Sequence, residues 1–323
     1  MRYVPWEELN GRPNIIVDGY PAEGTLITLS HWEGSGSPDE IADDLSTQIA
    51  FRYLGRPDLH VSAGAVSNNH FDEDGLSGIY AVLSPEEALA RREQIIDVAS
   101  AGDFGVFKDR DAARVAFALM TMADEERSPL SSQLGSKPYP QQSALMYQEG
   151  LAKYPEMLTA PERFRSLWED EDAWLTDSEK LVESGALSIE ESPDIDLAIV
   201  RIAGPDGEAP ISSEASILGV HQSAIHNRTS MFRTLVMRGN RFIVRYRYET
   251  WVRYVSRPTM KRVDLSPLAD ELTGRETSPV KWKFDGNDSL TPKLRTKAGI
   301  ESTLPPDEFV AAVTGFLRRS ALR

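Results

Sequence analysis

Residues 60–75 of the chain read HVSAGAVSNNHFDEDG. The small and β-branched residues at 60–67 predict a strand, and residues 76–83, directly after the quoted stretch, predict a short helix. Two earlier segments, 14–19 and 25–30, are also rich in β-branched residues and predict strands. The N-terminal part is therefore predicted to contain strand, loop and helix in succession.

Two capping-box sequences mark predicted helix starts. The first, SPDE at 37–40, places serine at the N-cap and proline at the first helical position, and apolar residues at helical spacing follow as far as Gly55. The second, SPEE at 84–87, opens a helix predicted to end near residues 102–105. The alternation of strands and helices predicts an α/β fold, with a mainly parallel sheet flanked by helices in the N-terminal part.

The C-terminal part predicts a second, smaller α/β or α+β domain. Residues 196–202 are typical of a buried strand, 241–255 of one long strand or a strand pair, 284–304 of a loop and 306–317 of an amphipathic helix. A mostly helical segment with an acidic run precedes them. The predicted parts are an α/β domain with the candidate site at 1–150, a helical acidic connector at 151–190 and the C-terminal domain at 191–323.

Composition excludes several kinds of protein. At 41% hydrophobic and 26% charged residues, the chain has the composition of a globular protein. It has no cysteine, which excludes disulfides, thiolate catalysis and iron–sulfur clusters. The first residues lack a secretory signal and no stretch is apolar enough to cross a bilayer, so we expect a cytoplasmic protein without a membrane partner.

The polar cluster at the end of the quoted stretch contains candidate metal ligands. His70, Asp72 and Asp74 alternate, so an extended backbone would project all three to one side, with Gly75 permitting the turn into the helix. An imidazole and two carboxylates suit a divalent ion, Mn²⁺ first, with Mg²⁺ and Zn²⁺ as alternatives. The position also fits, because ligands bind beyond the carboxyl ends of parallel strands. The alternative is a capped turn without a ligand.

The pattern His-x-Asp-x-Asp-Gly between a strand and a helix resembles the first motif of the DHH phosphoesterase superfamily. The resemblance implies an α/β domain with manganese ligands at its strand ends and a smaller substrate domain. It implies metal ligation by His70, Asp72 and Asp74, and it makes Asp103 the counterpart of the second-motif aspartate. The Asp-His-His triplet and the glycine-rich C-terminal motif are absent, so the chain resembles a bacterial family that shares only the first motif.

Two other histidines are candidates for the same site. His31 ends the second predicted strand beside a glycine-rich loop and a helix start, where it could bind metal or help an anion dock at the helix N-terminus. The alternative for His31 is a buried, hydrogen-bonded side chain. His221 and His226 are five residues apart, about 140° around a helix, so they are not expected to share an ion. His221 is the one assigned to substrate binding.

A basic strip stands out against the net charge of −15. Residues 228–262 contain ten Lys or Arg and one acid. Strand alternation would send Arg245, Arg247 and Arg253 to one face, where they could bind a small anionic substrate. A solvated face that pairs with the acidic remainder of the protein explains the strip equally well. Nucleic acid is a disfavoured partner because of the net charge.

These features favour a metal-dependent hydrolase that acts on a phosphoester or another small anionic substrate. No P-loop, dinucleotide fingerprint, His-Glu-x-x-His or Gly-x-Ser-x-Gly sequence is present. One alternative is a non-catalytic anion- or nucleotide-binding protein that kept the cleft without the chemistry. Another is a metal-free acid/base enzyme in which His70 and an aspartate carry the proton. The oligomeric state is not predicted.

Overall fold

The computed structural model describes residues 1–135, 137–204, 216–297 and 300–321. The chain divides into two compact units. Unit 1 comprises residues 1–172 and 252–257, and unit 2 comprises residues 173–251 and 258–323. The boundary between Asp172 and Ala173 falls within the segment 151–190 that was predicted as the connector.

Unit 1 is built on a four-stranded parallel sheet, whose strands are β1 (Arg2–Tyr3), β2 (Asn14–Val17), β3 (Thr25–Leu29) and β4 (Ala65–Ser67). Their order in the sheet is β1-β4-β2-β3. All four residues of β2 are buried. Ile16 packs on one side of the sheet with Val4 and Leu9, and Val17 lies so close to the helix that follows β4 that a Cβ at Gly78 would be 2.6 Å from its Cγ1.

Helices pack on this sheet and make up most of the rest of unit 1. They are α1 (Ser46–Leu54), α2 (Glu73–Leu83), α3 (Pro85–Ala90), α4 (Arg92–Asp103), α5 (Arg110–Ala123), α6 (Ser131–Leu134) and α7 (Tyr139–Thr159), followed by α8 (Arg165–Glu183), which crosses the unit boundary. Helix α1 contacts β2 and β3, and α2 contacts β1, β2 and β4. The predicted α/β class and parallel N-terminal sheet are confirmed.

The first capping-box prediction is wrong in position. Residues 39–41 form only a short 3₁₀ helix, and α1 begins at Ser46. Ser37 does not cap a helix, because its hydroxyl donates to the Thr28 carbonyl and accepts from the Ser30 amide, which ties the loop to the end of β3. The second helix does begin after Ser84, but it is interrupted at Arg91 into α3 and α4.

Unit 2 contains a six-stranded mixed sheet, whose strands are β5 (Leu187–Ser192), β6 (Leu197–Ile202), β9 (Arg233–Arg238), β10 (Arg241–Tyr246), β11 (Trp282–Phe284) and β12 (Lys293–Thr296). Their order in the sheet is β11-β12-β10-β9-β6-β5, and a separate pair is formed by β7 (Ser216–Ile217) and β8 (Val220–His221). The helices of this part are α9 (Gln222–His226), α10 (Ser266–Arg275) and α11 (Pro306–Ala321). Apolar residues of α10 and α11 form one core with alternate residues of the sheet.

Two details of the C-terminal prediction are corrected. The predicted strand at 241–255 ends at Tyr246 and is followed by a 3₁₀ helix at Tyr248–Thr250. The predicted loop at 284–304 contains β12, which pairs with β10. Within the described residues, no helix combines the length and the apolar character that a membrane span requires.

Candidate metal centre

Six side chains meet at the carboxyl edge of the unit 1 sheet. Asp18 follows β2, His31 lies two residues after β3, and His70 and Asp72 follow β4. Because β4, β2 and β3 are neighbours and run parallel, their following loops lie side by side. The other two side chains come from helices, Asp74 in the first turn of α2 and Asp103 at the end of α4. We call these six residues the Asp/His cluster.

The first half of the cluster is the His70 group, which consists of Asp18, His70 and Asp72. His70 Nε2 lies 2.7 Å from Asp72 Oδ2 and 3.2 Å from Asp18 Oδ2. Asp72 is the N-cap of α2, and its Oδ1 accepts the Gly75 amide at 2.7 Å. The helix cap therefore fixes one oxygen of Asp72 and leaves the other facing His70 and Asp18.

The second half is the His31 group, which consists of Asp18, His31 and Asp74. His31 Nε2 lies 3.4 Å from Asp18 Oδ1, 3.9 Å from Asp74 Oδ2 and 3.5 Å from Asp103 Oδ2. Nδ1 of the same ring is 2.6 Å from the Asp44 carbonyl oxygen. Because a carbonyl only accepts, Nδ1 carries a proton, and in the neutral imidazole the Nε2 lone pair faces the carboxylates.

Asp18 connects the two groups. Its Oδ1 faces His31 and its Oδ2 faces His70, while the Ser46 hydroxyl donates to Oδ1 at 2.7 Å. The backbone of Asp18 has a φ of 53°, which is the left-handed region that residues other than glycine rarely adopt. A non-glycine residue in this conformation within a cluster of charged side chains is typical of a functional site.

Asp74 belongs to the cluster, but its backbone conformation differs from the predicted one. It lies in a helix, so the predicted alternation with His70 and Asp72 on an extended backbone is wrong. Its carboxylate accepts the Ser46 amide at 2.7 Å and the Thr47 amide at 2.8 Å, at the N-terminus of α1. The predicted anion site beside His31 is thus occupied by an aspartate of the chain itself, which satisfies the first amides of the helix.

Gly75 has a different role from the predicted turn. It lies inside α2, and a Cβ at this position would collide with the Asn68 amide and the Tyr147 hydroxyl. Those two groups form a hydrogen bond of 3.0 Å. Glycine is needed here because the polar groups around the cap of α2 approach the helix backbone closely.

Burial and mutual repulsion shift the pKa values of the acids. Burial, with the Asp18 charge nearby, raises the pKa of Asp74 to about 7. Burial and the other acids raise the pKa of Asp103 well above its usual value, and burial beside Asp72 raises the pKa of Glu73 to about 8. Asp18 differs, because the imidazoles of His31 and His70 outweigh its burial and hold its pKa below the ordinary range.

The two histidine pKa values shift upward. Burial disfavours the imidazolium form, but the Asp18 carboxylate raises the pKa of His31 and the Asp72 carboxylate raises that of His70 well above the usual value. The cluster therefore attracts positive charge, because several carboxylates that repel each other are held away from water. Protons supply part of that charge, and a metal ion would compete with them for the same atoms.

The donor set fits divalent cations. Carboxylate oxygens with one imidazole per group are ligands that suit Mn²⁺, Mg²⁺ or Zn²⁺. Within each group the donor atoms lie within 4.8 Å of one another, which is compatible with ligands about 2 Å from a common centre. The four aspartates of the cluster would carry a formal charge of −4 when ionised, which two divalent cations would balance.

The residues predicted to bind substrate are not on one strand face. Arg245 lies on β10 and donates to Gln222 Oε1 at 3.1 Å, whereas Arg247 lies beyond the strand and forms a buried ion pair with Glu249. His221 Nδ1 accepts the Ser223 amide and caps α9. All of these residues belong to unit 2.

Arg253 is the exception among the predicted arginines. It belongs to unit 1, and its guanidinium pairs with Asp39 at 2.6 Å. The Arg253 side chain is 42% exposed and that of Asp39 84%. The ion pair is therefore weak and open to exchange with a solute anion.

Asp18 was missed as a site residue at the sequence level. It could have been identified by the same pattern that indicated His70, since Asp18 is a polar residue immediately after a buried strand. Asp44, which also contacts His31, lies before α1 and is 8% exposed. The contacts of Asp44 do not follow from spacing alone, because they join separate segments of the chain.

The fold and the cluster define an α/β protein with an acidic, histidine-containing site at the carboxyl edge of a parallel sheet. Residues 1–322 match the family described as "Family of unknown function (DUF6687)", and the chain belongs to that family. A comparison with curated proteins found no match.

Proposed function

We propose that this protein is a divalent-metal-dependent hydrolase that acts on a phosphoester or another small anionic substrate. The observation that carries the proposal is the position of Asp18, whose two oxygens each face a different histidine. The His70 group would hold one ion, the His31 group with Asp103 would hold a second, and Asp18 belongs to both groups. Mn²⁺ is the preferred ion, with Mg²⁺ and Zn²⁺ as alternatives.

The chemistry follows from the proposed ligand sets. Divalent ions held by these residues would supply Lewis-acid chemistry, which would lower the pKa of a water and stabilise the charge that develops on a phosphoryl or acyl group. The chain's residues orient the donor atoms, since the cap of α2 holds Asp72 and the amides of α1 hold Asp74. The more exposed side chains of His70 and Asp72 place the His70 group on the solvent side, where substrate would enter.

Arg253 is the candidate for the substrate's anionic end, because of the three predicted arginines it belongs to the unit that contains the cluster. Roles for Arg245, Arg247 and His221 in substrate binding, the resemblance to DHH phosphoesterases, and a cytoplasmic location remain predictions.

Phosphodiester hydrolysis tests this function. Purified protein is stripped with EDTA, supplied with Mn²⁺, Mg²⁺ or Zn²⁺, and assayed with bis(p-nitrophenyl) phosphate and p-nitrophenyl phosphate. We expect turnover that requires added metal and disappears in Asp18→Asn, while the exposed Glu86→Gln control retains it. Metal binding without turnover on either ester would contradict the phosphoester assignment and favour the non-catalytic anion-binding alternative.

A further inference from the structure

Residues 252–257 form a short segment of unit 1 that is flanked on both sides by residues of unit 2. We call it the docked segment. Its Arg253 amide donates to the His31 carbonyl at 2.7 Å. Two further amides of the segment, those of Val255 and Ser256, donate to Asp44 Oδ1 at 2.6 and 2.9 Å. The segment therefore contacts both His31 and the residue that binds the His31 ring.

Asp44 links the docked segment to the imidazole. Its backbone carbonyl accepts from His31 Nδ1 at 2.6 Å, and its side-chain carboxylate accepts the two amides of the segment. The residue is 8% exposed. Any rotation of the Asp44 backbone would move the acceptor that fixes the ring, so the two segment amides hold the direction in which Nε2 points.

The docked segment also packs near Asp103. The Tyr254 ring meets the Phe104 ring edge-on with centroids 5.6 Å apart, and Phe104 lies 6.4 Å from the His31 ring. Phe104 directly follows Asp103 in the chain. The segment thus supports both His31 and Asp103, two of the side chains that would bind the ion of the His31 group.

We propose that Asp44 is a positioning residue for His31 and that the docked segment, about 210 residues later in the chain, holds Asp44 in place. The inference rests on the proposed metal function, since its consequence is the affinity of the His31 group for its ion. Groups that orient a histidine ligand typically contribute 10- to 100-fold to metal affinity. The His70 group makes none of these contacts, so its affinity should not depend on Asp44.

Mn²⁺ titration of metal-free protein tests the proposal. Asp44→Ala removes the carboxylate and should weaken one of two Mn²⁺ equivalents by about 10- to 100-fold while leaving the other unchanged. Asp44→Asn keeps an oxygen that can accept the segment amides, so it should recover most of that affinity. Asp39→Ala is the matched control, because Asp39 also contacts the docked segment, but through the exposed Arg253 guanidinium.

A merely structural role for Asp44 would lower thermal stability without separating the two ions. Wild-type affinity for both ions in Asp44→Ala, or equal loss of both, would overturn the proposal. If the variant fails to fold, long-range ¹H–¹⁵N spectra of the metal-free wild type at alkaline pH still test it, because His31 must be protonated on Nδ1. A proton on Nε2 would refute the positioning role, whereas a wild type that binds no metal would refute the proposed function instead.

Discussion

Replacing Glu73 by glutamine should stabilise the metal-free protein in a pH-dependent way. Glu73 lies in the first turn of α2 and is 7% exposed. Its side chain packs so closely against α4 that a Cβ at Gly102 would lie 2.5 Å from Oε2. Because the carboxylate is buried near Asp72 and Asp74, its pKa is raised from 4.5 to about 8, and the ionised form opposes folding.

The magnitude follows from this shift. One pKa unit corresponds to about 1.36 kcal/mol, so a shift from 4.5 to about 8 implies a maximum penalty of about 5 kcal/mol once the folded state is ionised. Between these two values the folded state binds the extra proton, so stability falls as pH rises. Burying the glutamine amide offsets part of the gain, and we expect Glu73→Gln to add about 2 to 4 kcal/mol at about pH 8 and little below about pH 5.

Urea unfolding in EDTA measures this difference. Wild type, Glu73→Gln and the exposed control Glu86→Gln are compared at both pH values, and the control should stay within about 0.5 kcal/mol of wild type. Asp74 and Asp103 are present in all three proteins, so the comparison measures the Glu73 charge together with its repulsion of these acids. A pH-independent effect of Glu73→Gln, or destabilisation at the higher pH, would refute the inference that burial and the neighbouring acids raise the pKa of Glu73.

Two further substitutions test close packing and a buried ion pair by urea unfolding. Gly75→Ala should lower the free energy of unfolding by about 1 to 3 kcal/mol, because the added Cβ collides with Asn68. The control Gly274→Ala, which lies in open space on α10, should be neutral or stabilising. Equal effects of the two substitutions would contradict the steric argument. Glu249→Gln should cost about 3 kcal/mol, because it leaves the Arg247 charge buried without its carboxylate. A cost below about 1 kcal/mol would mean that other partners of Arg247 suffice.

Much of the unit 1 fold and part of its site follow from the sequence. The strands before Asp18, His31 and His70 are marked by short β-branched runs, and parallel strands place their following loops at one edge. That rule is enough to bring His31 and His70 together. It applies equally to Asp18, which could have been selected on the same ground.

Other features depend on contacts that local patterns do not encode. Asp74 accepts the Ser46 amide at the N-terminus of α1 from 28 residues away. The helix therefore begins at Ser46, where this contact forms, and not at the serine-proline sequence at Ser37. The prediction that the arginines share one strand face was wrong because alternation of residue types does not reveal where a strand ends, and β10 ends at Tyr246. The contact between Asp44 and the docked segment spans 211 residues and has no signature in either segment.

Metal content tests the central claim most directly. Elemental analysis of tag-free protein after incubation with Mn²⁺ and gel filtration should find about two ions per chain in wild type, as the two groups that share Asp18 imply. Asp18→Asn should therefore lose both ions, whereas Asp72→Asn should lose one. Wild type without bound metal, or Asp18→Asn with full metal content, would contradict the account.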